Sequence, residues 1–410
     1  MLLSSRREKL LNCIKKMLAF NTFDTVQYIN NFDKTSLNIN KLACFDLDHT
    51  LIKPKGNRKL PKDADDYEYF KNVKETLVKL QNDNYHIIIF SNQSGSKLDQ
   101  VTAKIQNILF ELLNIYNLKI SIFIATKDDY YRKPHTGMFE LFLKFNDLQI
   151  NNLKDVFYCG DAAGRKGDFA CSDYAFAYNL SLKYYNNSNK IKFYVPEEIF
   201  QKQKVNYTSI CKDNSLIFVN QYYENYNKIT KNIEFPVPTK NQEIVIMCGF
   251  PGSGKSKVAF DIYGKSDNYI IISKDVYKTR SITISKQSLK NKLSIVIDDT
   301  NIDVKNREIY IKLAKEYNIP IKCIHVNTYL NLCKHLNDMR VEIGKGQIYK
   351  VPEIVYNVLN KKYSKPELKE GFTEIYVVPF LLPDIQNIDL IPKEFYYIYN
   401  NLLNFTMFLH

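Results

Sequence analysis

The stretch LACFDLD, residues 42–48, is an apolar run that ends in two aspartates. Three further runs also pass from apolar to polar residues: HIIIFSN (86–92), ISIFIAT (120–126) and DVFYCGD (155–161). Helical periodicity lies between them, for example over 67–82 and 98–116. This alternation predicts an α/β domain whose parallel sheet is covered on both faces. Ligands of such sheets bind at the carboxyl ends of the strands, where these polar residues fall.

A second series of apolar runs begins at Glu243. The runs are EIVIMC (243–248), YIIIS (269–273), LSIVIDD (293–299) and IKCIHV (321–326). The length of 410 residues also favours more than one domain. We therefore predict two doubly wound parallel-sheet domains, at residues 41–195 and 241–410. An extension over 1–40 precedes the first, and a connector over 196–240 joins the two.

The composition indicates which kinds of partner and which cell compartment suit the chain. The formal net charge of +13 favours anionic partners such as nucleic acid or acidic membrane lipid. AT-rich codons encode the abundant Lys, Asn, Ile, Tyr and Phe, so base composition is an alternative explanation of the charge. The 8 cysteines form no CxxC pair, which predicts reduced thiols in an intracellular protein, nuclear or cytoplasmic. Because no apolar stretch reaches the ~20 residues that span a bilayer, no membrane association is predicted.

Asp46 and Asp48 form a DxDxT motif with Thr50 directly after the first apolar run. Alternate strand residues share a face, so the two carboxylates project together. Asp46 suits a nucleophile that attacks phosphorus and forms an aspartyl-phosphate. Asp48 suits a general acid that protonates the leaving oxygen and then deprotonates water. The pair also suits Mg²⁺, which prefers carboxylates and phosphate oxygens.

Three residues at the ends of the later runs extend this set. The segment Ser91-Asn92-Gln93 ends the second strand and is predicted to hydrogen-bond phosphoryl oxygens, with Ser91 as the catalytic candidate. Lys133 follows the third and is predicted to neutralise nucleophile and phosphate. Asp161 ends the fourth and is a predicted metal ligand beside Asp46 and Asp48. A carboxylate, a hydroxyl, a lysine and a carboxylate in this order resemble the haloacid dehalogenase superfamily.

The second series carries a P-loop, GFPGSGKS over residues 249–256, between a predicted strand and a predicted helix. Its glycines let backbone N–H groups approach phosphate, so we predict that the loop binds ATP. Lys255 is expected to reach the β- and γ-phosphates, and Ser256 to hold Mg²⁺. The predicted nucleotide-binding residues are Gly249, Gly252, Ser253, Gly254, Lys255 and Ser256.

Later residues suggest which reaction this P-loop serves. Asp275 follows the strand YIIIS and suits a general base for an acceptor hydroxyl. Arg340 lies on a helical stretch and suits a lid residue that stabilises transition-state charge. Asp298 and Asp299 suit metal organisation or acceptor binding, although helix capping or support of a neighbouring ligand explains Asp298 nearly as well. Arg307 lies near them in sequence.

The motifs resemble one family over residues 41–380. FDLDHTLIKPK (45–55), IIIFSNQSG (87–95), YYRKPHTGMFE (130–140) and YCGDAAGRKGDFACSDYAFAYNL (158–180) are similar to the phosphatase half of the polynucleotide kinase 3′-phosphatases. SKDVYK (273–278), IDDTNIDVKNREIY (297–310), CKHLNDMR (333–340) and KPELKEGFTEIYVVPF (365–380), with the P-loop, are similar to the kinase half. The resemblance makes Asp168 and Asp173 candidates for organising the loop after the fourth strand. Two departures are His49, where the family usually has glycine, and Lys274, where it often has arginine.

The resemblance implies an enzyme that converts 3′-phosphate ends to 3′-hydroxyls and phosphorylates 5′-hydroxyl ends with ATP. Both products suit a ligase, which implies a functional link to ligation and to DNA repair. RNA ends, and a fused pair of small-metabolite enzymes, are the alternatives; a non-catalytic nucleic-acid-binding module is disfavoured by the intact reactive residues. Only about 40 residues precede the first motif, too few for the phosphopeptide-binding domain of animal members, so that domain is not expected.

Overall fold

The computed structural model describes residues 19–33, 40–56, 58, 61–93, 98–186, 190–206, 233–380 and 392–399. The chain divides into two compact units. The first comprises residues 1–216, 341–349 and 396–410, and the second comprises residues 217–340 and 350–395. The predicted boundaries stay a prediction, but the division differs from them because two short segments from the C-terminal half belong to the first unit.

The first unit contains a seven-stranded sheet with the order β1-β2-β7-β6-β3-β8-β9. Its strands are β1 (Asn21–Phe23), β2 (Val26–Ile29), β3 (Lys41–Phe45), β6 (Tyr85–Asn92), β7 (Ile120–Ala125), β8 (Asp155–Cys159) and β9 (Lys192–Tyr194). β4 (Ile52–Lys53) and β5 (Glu68–Tyr69) form a separate antiparallel pair directly after the DxDxT motif. The helices are α1 (Val73–Asn82), α2 (Leu98–Asn114), α3 (Gly137–Asn146), α4 (Ser172–Tyr185) and α5 (Pro196–Phe200).

The first sheet is parallel from β7 to β9, as predicted, and its central strands are buried on both faces. Separate apolar clusters lie on the two faces, one including Phe45 and Ile89 and the other including Phe90 and Phe139. Such double burial explains why these strands are continuous apolar runs without polar alternation. The α/β prediction is confirmed for this unit.

The first sheet also extends beyond the predicted parallel core. β1 and β2 come from the predicted N-terminal extension, and β2 pairs antiparallel with β7. These two strands are short and half-exposed, so they lack the long apolar run by which the inner strands were recognised. At the other end, Phe200 of α5 packs into the apolar cluster of the unit, although residue 196 was predicted to begin the connector. Most of that connector, residues 207–232, lies outside the described residues, as does the N-terminal segment 1–18.

The second unit contains a five-stranded, entirely parallel sheet with the order β11-β12-β10-β13-β14. Its strands are β10 (Ile244–Cys248), β11 (Tyr269–Ser273), β12 (Ser294–Asp298), β13 (Ile321–Val326) and β14 (Glu374–Val378). Its helices are α6 (Lys255–Tyr263), α7 (Lys274–Tyr277), α8 (Ser281–Lys290), α9 (Val304–Tyr317), α10 (Leu330–Ile343) and α11 (Glu353–Lys362). The last turn of α10 belongs to the first unit. Because β10 lies between β12 and β13, the P-loop that follows it starts at the centre of the sheet edge.

Two further sequence predictions concern cysteines and membranes. Five described cysteines are free and buried: Cys44, Cys159, Cys248, Cys323 and Cys333. Cys171 is disulfide-bonded, so the prediction of reduced thiols is wrong for this residue. Among the described residues, no helix is long and apolar enough to cross a bilayer.

Candidate active sites

In the first unit, Lys133 is the centre of a buried polar cluster. Its Nζ donates to Asp46 Oδ1 at 2.6 Å, to Asp173 Oδ1 at 2.7 Å and to the Tyr158 hydroxyl at 2.7 Å. Tyr158 in turn donates to Asp173 Oδ1 at 3.1 Å. The Lys133 side chain is only 2% exposed. A buried ammonium group needs such partners, because an unpaired charge in the interior is strongly destabilising.

The fold brings these residues together from separate strand ends. Asp46 directly follows β3, and its backbone N–H donates to Cys159 O at the end of the neighbouring β8 at 2.9 Å. Asn92, the last residue of β6, exchanges two hydrogen bonds with the backbone of Lys133: Asn92 Oδ1 accepts at 2.9 Å and Nδ2 donates at 3.0 Å. These bonds fix the backbone of Lys133 opposite Asp46. Asn92 was considered with Ser91 and Gln93 for binding phosphoryl oxygens, but in the structure its amide holds the backbone of Lys133.

Three carboxylates of the first unit lie close enough to share a cation. Asp46, Asp161 and Asp173 each offer an oxygen, and these oxygens lie within 4.8 Å of one another. Burial raises the pKa of Asp46, and Lys133 opposes this rise. Burial and the charge of Asp173 raise the pKa of Asp161 to about 7. For Lys133, burial lowers the pKa, but Asp173 and Asp46 outweigh it and the pKa is raised. The carboxylates outnumber the lysine, and a divalent cation would offset that surplus of negative charge.

Asp48 is not a member of this group of three carboxylates. Its Oδ2 accepts from Gln93 Nε2 at 2.6 Å, and its Oδ1 accepts from Lys104 Nζ at 2.7 Å. The same Gln93 nitrogen also donates to Ser91 Oγ at 2.8 Å. The predicted metal role of Asp48 stays a prediction, since its carboxylate oxygens have these two protein partners.

The loop after β8 is held by carboxylates that sequence reasoning placed there. Asp168 Oδ2 accepts from the backbone N–H groups of Ala163 and Arg165, at 3.1 and 3.0 Å. Asp173 Oδ2 accepts from Ala162 N at 3.0 Å. A Cβ atom on Gly160 would lie 2.4 Å from Asp173 Cγ, so a side chain at this position would displace the carboxylate that contacts Lys133.

His49 has a left-handed backbone, with φ of 61°. Its N–H donates to Ile52 O at 2.7 Å and closes the turn between the DxDxT motif and β4. Glycine adopts this conformation without steric cost, whereas other residues are strained in it. The conformation therefore explains why glycine suits this position.

In the second unit, the P-loop follows β10 and opens α6. Gly252 and Gly254 have φ of 77° and 95°, in the left-handed region that favours glycine. A Cβ atom at Gly252 would lie 2.3 Å from Cys333 O. Lys255 is 8% exposed, and its Nζ donates to Phe250 O at 2.7 Å. Burial lowers the pKa of Lys255. The lysine thus bonds to the carbonyl of its own loop.

A cavity of about 790 Å³ opens beside this loop. Gly252, Gly254, Lys255 and Ser256 line it together with Asp275 and Arg340, so residues that are distant in sequence share one space. Asp298, Asp299 and Thr300 also contribute to its wall. Apolar side chains complete the lining: Leu336, Met339, Val351, Val355, Leu359, Phe380 and Phe395. Gly249 and Ser253 do not line the cavity; Ser253 is fully buried beneath the loop.

Two other residues considered from the sequence have separate roles. Lys274 Nζ lies 2.9 Å from Asp299 Oδ2, and this ion pair raises the pKa of Lys274. Arg307 is fully buried, and its guanidinium binds both carboxylate oxygens of Glu370 at 2.7 and 2.8 Å. Arg307 therefore stabilises the fold and is not part of the cavity wall.

Comparisons with known proteins identify the families of both halves of the chain. Residues 41–200 match the family described as polynucleotide kinase 3 phosphatase, and residues 244–366 match an AAA domain. A bifunctional polynucleotide phosphatase/kinase of Schizosaccharomyces pombe is 35% identical over 83% of this chain and 80% of its own length. A putative bifunctional polynucleotide phosphatase/kinase of Acanthamoeba polyphaga mimivirus is 31% identical over 83% of this chain and 85% of its own length.

The chain belongs to the bifunctional polynucleotide phosphatase/kinase family. A polynucleotide 3′-phosphatase of Saccharomyces cerevisiae is also similar, with 33% identity over 43% of this chain and 93% of its own length. The family resemblance inferred from the motifs is thereby confirmed. Phosphatases and P-loop kinases of these kinds generally use Mg²⁺ and ATP.

The structure of this family member also contains polar residues that sequence reasoning missed. Tyr158 contacts Lys133, and Lys104 is paired with Asp48. Gln93, which was considered with Ser91 and Asn92 for binding phosphoryl oxygens, contacts Asp48. Tyr158 and Gln93 stand within the quoted motifs, but their contacts depend on the fold. Lys104 had a signal in the sequence, because it interrupts the apolar face of a helix that includes Ile105, Ile108 and Leu112.

Proposed function

We propose that the chain repairs the ends of broken nucleic-acid strands with two separate active sites. The first unit removes the phosphate from 3′ ends, and the second transfers the γ-phosphate of ATP to 5′-hydroxyl ends. The observation that carries the proposal is the presence in one chain of the buried Asp46–Lys133 pair and of a P-loop cavity that also contains Asp275 and Arg340. Neither site alone would define a polynucleotide substrate.

At the 3′ end, Asp46 attacks phosphorus and displaces the O3′ oxygen, which takes a proton from Asp48. Water then attacks the aspartyl-phosphate and gives its proton to Asp48, which releases inorganic phosphate. Lys133 offsets charge on the nucleophile, while the Ser91 hydroxyl binds a phosphoryl oxygen. Mg²⁺ would be held by Asp46 and Asp161, with Asp48 as a further candidate ligand, and would supply charge neutralisation for the phosphoryl group.

Asp173 supports this step through its contact with Lys133. It shares the lysine with Asp46 and accepts the backbone N–H of Ala162 in the loop that carries Asp161. We therefore assign it a positioning role.

At the 5′ end, Asp275 accepts the proton of the attacking hydroxyl and thereby activates it. Lys255 exchanges its bond to Phe250 O for phosphate oxygens of ATP, and Ser256 would hold Mg²⁺. Arg340, exposed on α10 at the cavity wall, stabilises negative charge in the transition state. The glycines at 249, 252 and 254, with Ser253, let the loop backbone surround the phosphates.

The acceptor is a DNA strand in this proposal, and the products suit a ligase that joins 3′-hydroxyl to 5′-phosphate. The net charge of +13 favours binding to phosphate backbones, which would weaken as salt rises. Participation in DNA repair follows from the chemistry of these two products.

The test is an assay of the purified chain on nicked duplexes that carry a 3′-phosphate and a 5′-hydroxyl, with γ-labelled ATP. We expect phosphate release and label transfer with Mg²⁺ and neither reaction with excess chelator. Matched RNA ends, and a panel of sugar phosphates and nucleosides, test the alternative substrates. Absence of both reactions on every DNA and RNA end, in folded protein supplied with Mg²⁺, would contradict the proposal.

A further inference from the structure

Lys104 is a buried lysine on the apolar face of α2. Its side chain is 6% exposed, and the residues that share its buried face are Ile105, Ile108, Leu109 and Leu112. Ordinary helix amphipathicity would place an apolar residue at this position. A charged group there is costly unless it is paired, so its partner indicates its use.

The partner of Lys104 is Asp48, the proposed general acid and base. Lys104 Nζ lies 2.7 Å from Asp48 Oδ1, while Gln93 Nε2 donates to Asp48 Oδ2 at 2.6 Å. The two donors hold both oxygens of one carboxylate and so fix its direction. The Asp48 side chain nevertheless stays 37% exposed, so it remains accessible to a substrate oxygen or a water molecule.

Gln93 connects this arrangement to phosphate binding, because the same amide nitrogen donates to Ser91 Oγ at 2.8 Å. The orientation of Asp48 is thus coupled to that of the hydroxyl proposed to bind the phosphoryl group. Lys104, in contrast, contacts only the acid–base residue of this group of three.

We propose that Lys104 is a positioning residue for proton transfer by Asp48 in the 3′-phosphatase reaction. The inference rests on the proposed function of the first unit and adds a residue outside its motifs. Lys104 acts through Asp48 and does not touch the substrate. When the Asp46–phosphorus bond forms and the phosphorus–O3′ bond breaks, the fixed Asp48 delivers its proton to O3′. When water later attacks phosphorus, Asp48 accepts the proton of that water.

The choice of leaving group distinguishes a positioning role of Lys104 from a purely structural one. The O3′ oxygen of a nucleotide is a poor leaving group and needs the proton of Asp48. The phenolate of p-nitrophenyl phosphate leaves without a proton. Loss of positioning at Asp48 therefore slows the first reaction selectively, whereas a general distortion of the site slows both.

The experiment compares wild type with Lys104→Met, which keeps the length of the side chain and suits the apolar face of α2. The measured quantity is kcat/KM, which reports the first step, on a 3′-phosphate oligonucleotide and on p-nitrophenyl phosphate. We expect a loss of about 10- to 100-fold on the oligonucleotide, within the range of acid–base catalysis, and a loss below about threefold on the aryl phosphate. Asp48→Asn provides the reference pattern and should show a larger loss with the same selectivity.

The second half of the reaction gives an independent measurement. Both substrates form the same aspartyl-phosphate, whose hydrolysis needs Asp48 as a base. With p-nitrophenyl phosphate, Lys104→Met should therefore release one equivalent of nitrophenolate in a burst and then turn over slowly. A variant that is only distorted would show a slower first turnover without a burst.

Lys74→Met is the matched control, because Lys74 is also an ion-paired lysine of the first unit but contacts Glu111 away from the site. It should leave both kcat/KM values within about twofold of wild type. Lys104→Gln, which keeps a donor without the charge, replaces Lys104→Met in the same assays if the methionine variant does not fold. Equal losses on the two substrates in a folded variant would overturn the positioning role. A wild-type protein without activity on 3′-phosphate ends would instead contradict the proposed function.

Discussion

The two candidate sites of this chain differ in how their charged residues are partnered. In the first unit, Lys133 is bonded to Asp46, Asp173 and Tyr158, and its side chain is 2% exposed. In the second unit, Asp275 and Arg340 are exposed on the wall of a cavity of about 790 Å³, and Lys255 is bonded to a carbonyl of its own loop. The first site holds its reactive groups in place through contacts within the protein.

The difference follows from the chemistry proposed for each site. The nucleophile of this phosphatase is part of the protein. Asp46 must therefore be oriented, and its charge offset by Lys133, before the substrate binds. A kinase moves a phosphoryl group between two bound molecules, so its residues must leave room for both. We therefore expect variants of the paired charged residues in the first site to change catalysis and stability together, and variants of the exposed Asp275 or Arg340 to change mainly catalysis.

The largest expected effect is selective loss of one activity. Asp46→Asn removes the nucleophile and should reduce 3′-phosphate release by at least about 10³-fold while leaving 5′ phosphorylation within about twofold. Lys255→Ala should do the converse, because the lysine is proposed to contact the phosphates of ATP. Both activities are measured on one doubly labelled nicked duplex.

Asp275→Asn provides a second kinase variant that leaves the P-loop intact, so it separates loss of the base from loss of ATP binding. It should lower 5′ phosphorylation while leaving the KM for ATP nearly unchanged. If either Asp46→Asn or Lys255→Ala silenced both activities in folded protein, the assignment of two independent sites would be wrong.

A second charged network in the first unit extends the comparison from catalysis to stability. Glu342 has a fully buried side chain whose oxygens lie 3.1 Å from His135 Nδ1 and 3.0 Å from Lys183 Nζ. It also accepts from the backbone N–H of Thr136 at 3.3 Å and from the Thr136 hydroxyl. His135 and Thr136 follow Lys133 closely in sequence, so this network holds the segment next to the phosphatase lysine.

We expect this network to make stability depend on acid pH. Burial raises the pKa of Glu342, but His135 and Lys183 outweigh it and lower the pKa from 4.5 to about 2. The folded state therefore prefers the ionised form, so the stabilising contribution is complete above pH 4.5 and is lost as the pH falls toward about 2. Glu342→Gln should lower the free energy of unfolding by about 3 kcal/mol at neutral pH and progressively less in acid.

Urea unfolding is monitored by hydrogen exchange in peptides of the first unit. It measures the difference in free energy of unfolding between wild type and Glu342→Gln across the pH range. Glu68→Gln is the control, because Glu68 forms an exposed pair with Lys53 at 3.1 Å. Its effect should stay below about 1 kcal/mol at every pH. A loss for Glu342→Gln that did not change with pH would contradict the assignment of the effect to its charge.

The sequence predicted those parts of the molecule that depend on local patterns. Continuous apolar runs indicated the buried parallel strands, and the polar residues after them indicated, in each unit separately, the edge of the sheet at which its site lies. The contacts of Lys133 with Tyr158 and Asp173 could not be predicted from local patterns, because they depend on how separate strand ends meet. Asp173 was considered only for loop organisation, yet its two oxygens serve both the loop and Lys133.

Other features that the sequence did not predict also depend on tertiary contacts. β1 and β2 are short and half-exposed, so they join the sheet through pairing with β7 and without an apolar run of their own. Residues 341–349 belong to the first unit although they follow kinase motifs in sequence, and no local pattern indicates this. Arg307 stood near the predicted site in sequence, but its bidentate pairing with Glu370 is a tertiary contact.

The smallest expected effect concerns backbone strain, where the two sites again differ. The P-loop has glycine at its left-handed positions 252 and 254, whereas the first site has His49 at φ of 61°. Among the described residues, none offers the exposed imidazole of His49 a hydrogen bond or an ion pair that would offset the strain. His49→Gly relieves a left-handed cost of about 1–2 kcal/mol but adds flexibility to the unfolded chain, so the net gain should be about 1 kcal/mol or less.

Thermal unfolding of His49→Gly should therefore show a small rise in Tm, and 3′-phosphatase activity should be retained because no reacting group changes. Gly252→Ala is the opposite exchange at a left-handed position. It should lower Tm, since its Cβ would lie 2.3 Å from Cys333 O in addition to the strain at φ of 77°. A fall in Tm for His49→Gly would mean that the imidazole stabilises the turn by more than its backbone strain costs. The turn at His49 would then differ from the P-loop in the source of its stability.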